Sequence, residues 1–493
     1  MAGETEDVVE AMDTLLSYFE DEDDVAYAEV GGVVRIYTDA VITHRGVRNA
    51  SEFDEEGVWC RVFADGAAEY RYTTSLEENH IIDIGERVVR AGRQLGQEFP
   101  ARYDPASLHR GTHSGWATPE TTIDSIDPDE KAERIETALT DAIEGIDYKR
   151  AKVTYTDTHM INMLMTTTGT SLRTTIDRVG AETILDFDDG PKLQDHTGGT
   201  TGTTVLDRFP EYFEAFGERA ERLATSDHAD IEPDDSATVV LGPRAAAQLF
   251  HQLSHYFEID TTYFGSSPYA IGDKVGPAGL QIEDSIRAGS WAACAYDTEG
   301  RPTQPLTVVD NGTLVNYFHN TASAAENDAI PHGHSIQSLA LDHPPRIHAR
   351  HLEIEPGTQP LTELRDGADV YVEQFGPARF RNEATQTKRE SMMPPTVQYA
   401  KDIEEMTPSE FDNEASEQGI VLQISEGYRL TDGKLDGAIH DMRIDFAPDD
   451  LFSLDGLSVE RRTATGNCIK HNSQIPWAAT APGIRFETGL MTQ

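Results

Sequence analysis

The sequence predicts an α+β protein, with an N-terminal α/β domain over residues 1–226 and a β-rich C-terminal domain over 237–493 that carries one conspicuous helix. Three observations lead there. A chain of 493 residues exceeds what a single ordinary core organises. Helical and strand-like apolar patterns alternate in the first half, whereas short strand-like runs dominate the second. Between the halves, Ser226 to Ser236 is polar and contains Pro233, as a boundary segment should.

The elements follow in order. Val8, Val9, Met12, Leu15, Leu16 and Phe19 share one face of a helix over 8–19. Val33–Tyr37 and Val58–Phe63 read as strands, Asp65-Gly66 as a turn, and Ala68–Tyr72 as the returning partner. Ile81, Ile82, Ile84, Val88, Val89 and Leu95 suit a helix packed on that sheet. Ile135, Ala138, Leu139 and Ala142 place another helix within 128–144. Residues 151–187 read as a meander of strands, Thr197–Gly202 as a flexible turn, and Pro210–Leu223 as a helix. In the second half, strands are expected at Leu306–Val309, Val370–Glu373, Ile420–Ile424 and Met442–Phe446. Asp310-Asn311-Gly312 and Thr431-Asp432-Gly433 are turn signals. There is no convincing internal repeat.

Asp and Glu number 87 against 40 Lys and Arg, a net charge of −47. The acids lie between regular apolar patterns along the whole chain, with aromatic residues throughout, so the composition indicates a halophile-type surface rather than disorder. Self-repulsion on such a surface is tolerable where salt shortens the Debye length to about 3 Å near 1 M. Direct nucleic-acid binding, which needs a basic face, is disfavoured. No apolar run is long enough to span a membrane. The acidic start, Met1 to Asp7, lacks the basic and apolar regions of a signal peptide, so the expected location is cytoplasmic. Cys60, Cys294 and Cys468 are far apart and form no CxxC pair. Each is then a buried apolar residue, a ligand or a nucleophile.

Thr238–Leu241 reads as a buried strand, ended by Gly242-Pro243, and proline suits the start of the helix that follows over Arg244–Glu258. His251 and His255, four residues apart, project from one face and can reach a single ion. Glu258 lies on roughly the same side. Taken alone, an HxxxH spacing in a chain with 17 histidines is a weak signal, and two histidines that bind no metal account for it more readily. Zinc hydrolases normally place Glu after the first His, where it takes a proton from the attacking water. Gln252 has a similar shape but no ionisable group, so it cannot act as a general base.

The stretch from Val239-Val240-Leu241-Gly242-Pro243 through Leu249-Phe250-His251-Gln252 resembles the TldD/PmbA family, also called modulator of DNA gyrase, whose TldD branch carries VVLxP…LLHEAxGHxLEGD. Gln252 falls on the family's catalytic Glu. One residue is then missing, after which His255, Glu258 and Asp260 match the H-x-x-E-x-D ending. Further likeness lies in Phe264-Gly265-Ser266-Ser267, Glu283-Asp284, Gly289-Ser290, Asp297 to Gln304, Val309 to Leu314, and Gly466-Asn467-Cys468 to Pro476 with Pro482. The resemblance implies a Zn²⁺ site of His251, His255 and Cys468, with a fourth position for water or substrate. It leaves Cys60 and Cys294 as structural residues. The family's HExxxH spacing needs a local helix distortion such as a π-bulge, whereas the shorter spacing here suits an undistorted helix. Gln252 and Glu258 are the candidate catalytic positions. Glu258 could replace the missing base, or it could be a fourth ligand that closes the site.

The resemblance implies a zinc-dependent peptidase acting on small or unfolded peptides in a cavity enclosed by a hetero- or homodimer with another TldD/PmbA-type subunit. Its alternative is a non-catalytic PmbA-like partner that scaffolds an active TldD-type mate, because that branch lacks the metal motif. The peptide would be gripped as an added strand by sheet edges lining the cavity. Two other features stand out. His319, His332, His334, His343, His348 and His351 are irregularly spaced and read as solvated or locally bonded histidines in preference to a second metal site. Arg379, Arg381, Lys388 and Arg389 are a rare basic patch, read as internal ion pairs or as a clamp for a peptide carboxylate. No GxSxG, Walker or GxGxxG signature supports a serine hydrolase, NTPase or dinucleotide reading.

Overall fold

The computed structural model describes residues 2–64, 67–96, 112–114, 122–188, 190, 192–263, 267–381, 419–470 and 473–492. The expected turn at Asp65-Gly66, the Phe264-Gly265-Ser266 step, Lys388 and Arg389 lie outside the described residues. The first half contains α1 (Ala2–Glu20), β1 (Val25–Thr43), β2 (Gly46–Ala64), β3 (Ala67–Thr73), α2 (Glu78–Gly96), β4 (Thr112–Ser114), α3 (Pro128–Ala142), β5 (Arg150–Thr166), β6 (Ser171–Asp186), β7 (Lys192–Gly199), α4 (Thr203–Leu206) and α5 (Phe209–Thr225). The second half runs β8 (Asp234–Leu241), α6 (Pro243–Ser254), α7 (Ile259–Tyr263), β9 (Ile282–Ser285), β10 (Leu306–Asp310), β11 (Thr313–Leu314), α8 (Thr321–Glu326), β12 (Ser335–Ile336) and β13 (Arg346–Ile347). It ends with β14 (His351–Ile354), α9 (Leu361–Leu364), β15 (Val370–Phe380), β16 (Ile420–Thr431), β17 (Lys434–Ala438), β18 (Met442–Phe446), β19 (Gly456–Lys470) and β20 (Ser473–Thr492).

The first sheet has the order β3-β2-β1-β5-β6-β4, with β7 also on β6. Its pairings are antiparallel except that of β4 with β6. Alternation along β5 sends the odd-numbered residues to one face. There Ile161 and Met163 pack with Val8, Met12, Leu15, Ile81 and Val88 of α1 and α2. Val153 and Tyr155 pack with Ile135 and Leu139 of α3 and with Phe209, Phe213 and Phe216 of α5. Thr197–Gly202, expected to be a flexible turn, instead continues β7 through Gly199. The reason is packing: a Cβ on Gly198 would stand 2.5 Å from the ring of Trp291, which is fully buried against it.

The second sheet has eleven strands in the order β11-β10-β9-β14-β20-β18-β16-β15-β8, with β17 on β16 and β19 on β20. β8 pairs with β15 on one side and with β20 on the other. Strands β20, β18, β16, β15 and β8 therefore close into a ring around Val239, Leu241, Ile444, Phe446 and Phe486. The Asn311-Gly312 and Asp432-Gly433 pairs have positive φ at both positions, as tight hairpin turns with this chemistry require. They join β10 to β11 and β16 to β17. The whole is α+β. One apolar cluster crosses the 226–236 stretch and joins Phe213 and Phe216 to Val240, Tyr371 and Tyr428.

Candidate metal centre

Pro243 opens α6, and Ala245, Ala246, Leu249, Phe250 and Leu253 seat the helix in the core. The helix ends at Ser254, and His255–Phe257 tighten into a 3₁₀ turn. This differs from the undistorted helix expected through Glu258. Phe318 explains the change: its N–H donates to Phe257 O at 2.8 Å, and its carbonyl accepts from Ile259 N at 3.2 Å, which pulls the chain out of the helical path. His251 and His255 still face the same cleft, with ring centroids 5.1 Å apart. His251 lies flat on Trp477, 4.1 Å between centroids and 4° between planes.

Cys468 enters from β19, where it pairs with Ile475 of β20. Its Sγ is 3.3 Å from His255 Nε2. A fourth donor, His348, comes from the link between β13 and β14. One donor atom from each of His251, His255, His348 and Cys468 lies within 4.8 Å of every other. The His348 link is held by Asp284, which accepts the N–H groups of Arg350 at 2.8 Å and His351 at 3.0 Å and pairs with the Arg350 guanidinium.

The donors suit a metal ion. His255 Nδ1 is 3.0 Å from Glu258 Oε2, which turns Nε2 toward the sulfur. His348 Nδ1 is engaged by Ala349 O at 2.5 Å. His348 Nε2 and His251 Nε2 are buried and have no hydrogen-bond partner among the described residues. Orphaned buried nitrogens are costly unless something binds them. A carboxylate or carbonyl behind an imidazole is the usual arrangement around a metal. Lys470 Nζ reaches Glu258 Oε2 and Asp260 Oδ2, each at 2.7 Å, and Ile347 O at 2.8 Å.

Electrostatics in the ion-free cluster follow from this wiring. Burial opposes the Cys468 thiolate, but His255, His251 and His348 hold the thiol well below its usual range. Burial likewise opposes a charged His255, yet Glu258 and Cys468 push it up to about 10. Burial lowers His251 to about 4 against the pull of Cys468. Glu258 is held well below the carboxylate range by His255 and Lys470, despite its burial. Glu258 is thus an ionised group engaged by two cations, and its side chain is wholly inaccessible to solvent.

The cluster opens on a cleft of about 740 Å³, whose lining includes Gln252, Gln248, Arg379, Phe380, Ile469 and Gln474. Behind it, buried Arg219 pairs with Asp195 and Glu426, each at 2.7 Å.

All the residues singled out in the sequence as ligands, His251, His255 and Cys468, converge. Gln252 lines the cleft, while Glu258 stands behind His255 rather than beside the sulfur. Arg379 lines the cleft, and Arg381 pairs with Asp445 at 3.8 Å. Cys60 is buried in the core, and Cys294 lines a different cavity. His319, His334, His348 and His351 are all buried, so the solvated alternative does not hold for them. His334 bonds Asp284 at 3.0 Å, and His351 bonds Ser290 at 2.7 Å. Sequence reasoning missed His348, Lys470 and Trp477. Lys470 left a trace, a lysine two positions after Cys468 on a strand and so on the same face. His348 left none, because nothing local marks a loop residue that meets distant partners.

Residues 234–387 match the model of the PmbA/TldA metallopeptidase C-terminal domain. No curated protein matches the sequence. Among solved structures, the chain is similar to a candidate modulator of a DNA gyrase from Thermotoga maritima, at a TM-score of 0.70 and 15% identity over 98% of this chain and 100% of that one. It is similar to a counterpart from Bacteroides thetaiotaomicron, at a TM-score of 0.68 and 15% identity over 99% of each chain. TldE from Thermococcus kodakarensis gives a TM-score of 0.69 and 15% identity over 98% of this chain and 100% of that one. A matched metallopeptidase-type domain and a His/Cys cluster compatible with a metal define the class. Residues 234–387 thus carry a domain of the PmbA/TldA metallopeptidase type, and the likeness to the three solved structures is one of fold. Among the described residues, no helix is long and apolar enough to cross a membrane.

Proposed function

We propose that this chain holds one zinc ion through His251, His255, His348 and Cys468, and that it acts as a peptide-handling, non-hydrolytic subunit paired with another TldD/PmbA-type subunit. The observation that carries this reading is His348, whose unpartnered Nε2 adds a fourth protein donor to the cluster. A thiolate and imidazoles are a sound zinc set, and four protein donors make a closed, structural site. When bound at an open position, zinc supplies Lewis-acid polarisation of a carbonyl. Neither of the two candidate positions beside this cluster offers a free general base. Gln252 cannot ionise, and Glu258 orients His255 and neutralises Lys470. The chain's own contribution is a rigid wall for a cavity completed by its mate. The acidic surface suits a salt-rich cytoplasm, and residues 1–226 and 237–493 serve as its two domains.

A second reading, zinc-dependent peptide hydrolysis by this chain, is favoured by the cleft that opens onto the cluster beside Gln252. It requires His348 to vacate its position and another group to replace the missing base. Metal analysis and a peptidase assay in concentrated salt decide between the two. The expected result is one zinc per chain and no cleavage of a quenched fluorescent peptide by the chain alone. Cleavage abolished by chelator would sink the non-hydrolytic reading. A metal-free preparation that takes up no zinc would sink both.

A further inference from the structure

The face of the first sheet opposite its helices meets the loops at 292–298 and 335–341 around a second cavity of about 170 Å³. Its lining includes the apolar residues Val33, Trp59, Met160, Leu164, Ile176 and Tyr296. No residue lines both this cavity and the metal cleft. We infer that it is a binding site for the C-terminal end of a peptide or an N-acylated amino acid with an apolar side chain, with Arg178 receiving the carboxylate and Gln337 the adjacent N–H.

The argument begins with cations. Arg61, Lys131, Arg219, Arg350 and Lys470 are buried, and each has a carboxylate within 3.0 Å. Arg178 is half-buried and does not follow this pattern. Among the described residues no carboxylate pairs with it. It contacts Ala293 O at 3.5 Å and the face of Trp291, 5.4 Å from Cζ to the ring centroid. Its Nε is buried without a partner, and burial lowers the guanidinium to about 10. A partly desolvated guanidinium without a counter-ion is unfavourable, and a carboxylate is its best complement. In a chain with 87 acidic and 40 basic residues, finding a partner is easy, so an unmatched Arg marks a place reserved for an outside anion. Trp291 holds the guanidinium in place: its ring is seated on Gly180 and Gly198, and its Nε1 donates to Gly466 O at 3.0 Å.

The other wall supplies the second polar group. Gln337 donates its Nε2 to His343 O at 3.1 Å, and its Oε1 is buried without a hydrogen-bond partner among the described residues. An anion acceptor, an N–H acceptor and apolar side chains in one lining describe a peptide end rather than a fatty acid, which carries no N–H. Pockets that combine apolar walls with a few placed polar groups are the ordinary form of small-ligand sites.

Calorimetry on the full chain in concentrated salt tests this with N-acetyl-L-leucine, N-acetyl-L-leucinamide and decanoate. The expected result is saturable 1:1 binding of N-acetyl-L-leucine, with the amide and decanoate each at least tenfold weaker. Arg178→Met weakens N-acetyl-L-leucine at least tenfold and leaves the amide unchanged. Thr174→Phe, which narrows the cavity and leaves Arg178 in place, abolishes binding should Arg178→Met fail to fold. Tighter binding of decanoate overturns the peptide-end assignment. Absence of saturable binding, or full affinity in Arg178→Met or Thr174→Phe, overturns the site.

Discussion

Glu258 stands directly behind His255, 3.0 Å from its Nδ1, and the same carboxylate accepts a 2.7 Å hydrogen bond from Lys470. The imidazole therefore has one nitrogen spoken for and the other aimed at Cys468. Glu258→Gln weakens this orientation. The expected loss in zinc affinity is about 10–100-fold, measured by competition with a chromophoric chelator.

Lys470→Met leaves Glu258 and Asp260 buried without their shared cation. Breaking a buried ion pair on one side costs about 3–5 kcal/mol. Urea denaturation should show a loss of that order, whereas the cell-neutral control Lys149→Met, at an exposed position, should change stability by less than about 0.5 kcal/mol.

His348 and Gln252 together decide whether hydrolysis is possible. Gln252→Glu alone restores a carboxylate beside a closed cluster and should remain inactive. His348→Ala alone opens a position without a base and should also remain inactive. The double variant should cleave a quenched fluorescent peptide in a chelator-sensitive way. Activity in Gln252→Glu alone would show that His348 does not close the site.

Burial lowers His196 to about 4, against the opposing charge of Asp195. The unfolded chain has a histidine near about 6.5. Between those values the unfolded state binds the extra proton, so stability falls as pH drops from about 6.5 to about 4. Replacing His196 with Asn should flatten this part of the urea midpoint against pH curve.

Salt provides a further check. The net charge of −47 makes self-repulsion long-ranged in dilute buffer. The thermal midpoint should rise steeply with KCl up to about 1 M, where the Debye length is about 3 Å. The buried pairs of Arg219 with Asp195 and Glu426 are shielded from solvent and should contribute little to that slope.

Much of the molecule was legible in the sequence wherever the signal is local. Helix α1 could be read from Val8, Met12, Leu15 and Phe19, and the tight turns from Asn311-Gly312 and Asp432-Gly433, because periodicity and positive φ are properties of a few adjacent residues. His251, His255 and Cys468 were found by spacing and by resemblance. What escaped depends on tertiary packing. The extension of β7 through Gly198 depends on Trp291, which lies far along the chain, and the 3₁₀ turn at His255 depends on Phe318. His348 reaches the cluster only because Asp284 anchors the segment beside it, and a pattern of neighbours carries no trace of that.

The hairpin of β19 and β20 presents Cys468 and Lys470 on one side and Ile469, 77% exposed, on the other. Side chains on a strand alternate, so sliding this hairpin by a single residue would exchange the two sides. The thiol and the ammonium group would turn away from the histidines and an isoleucine would take their place beside them. Possession of a metal site is therefore a property of strand alignment as much as of residue identity. A one-residue insertion or deletion that shifted the pairing of Lys470 with Ser473 would erase the centre while every ligand remained in the chain.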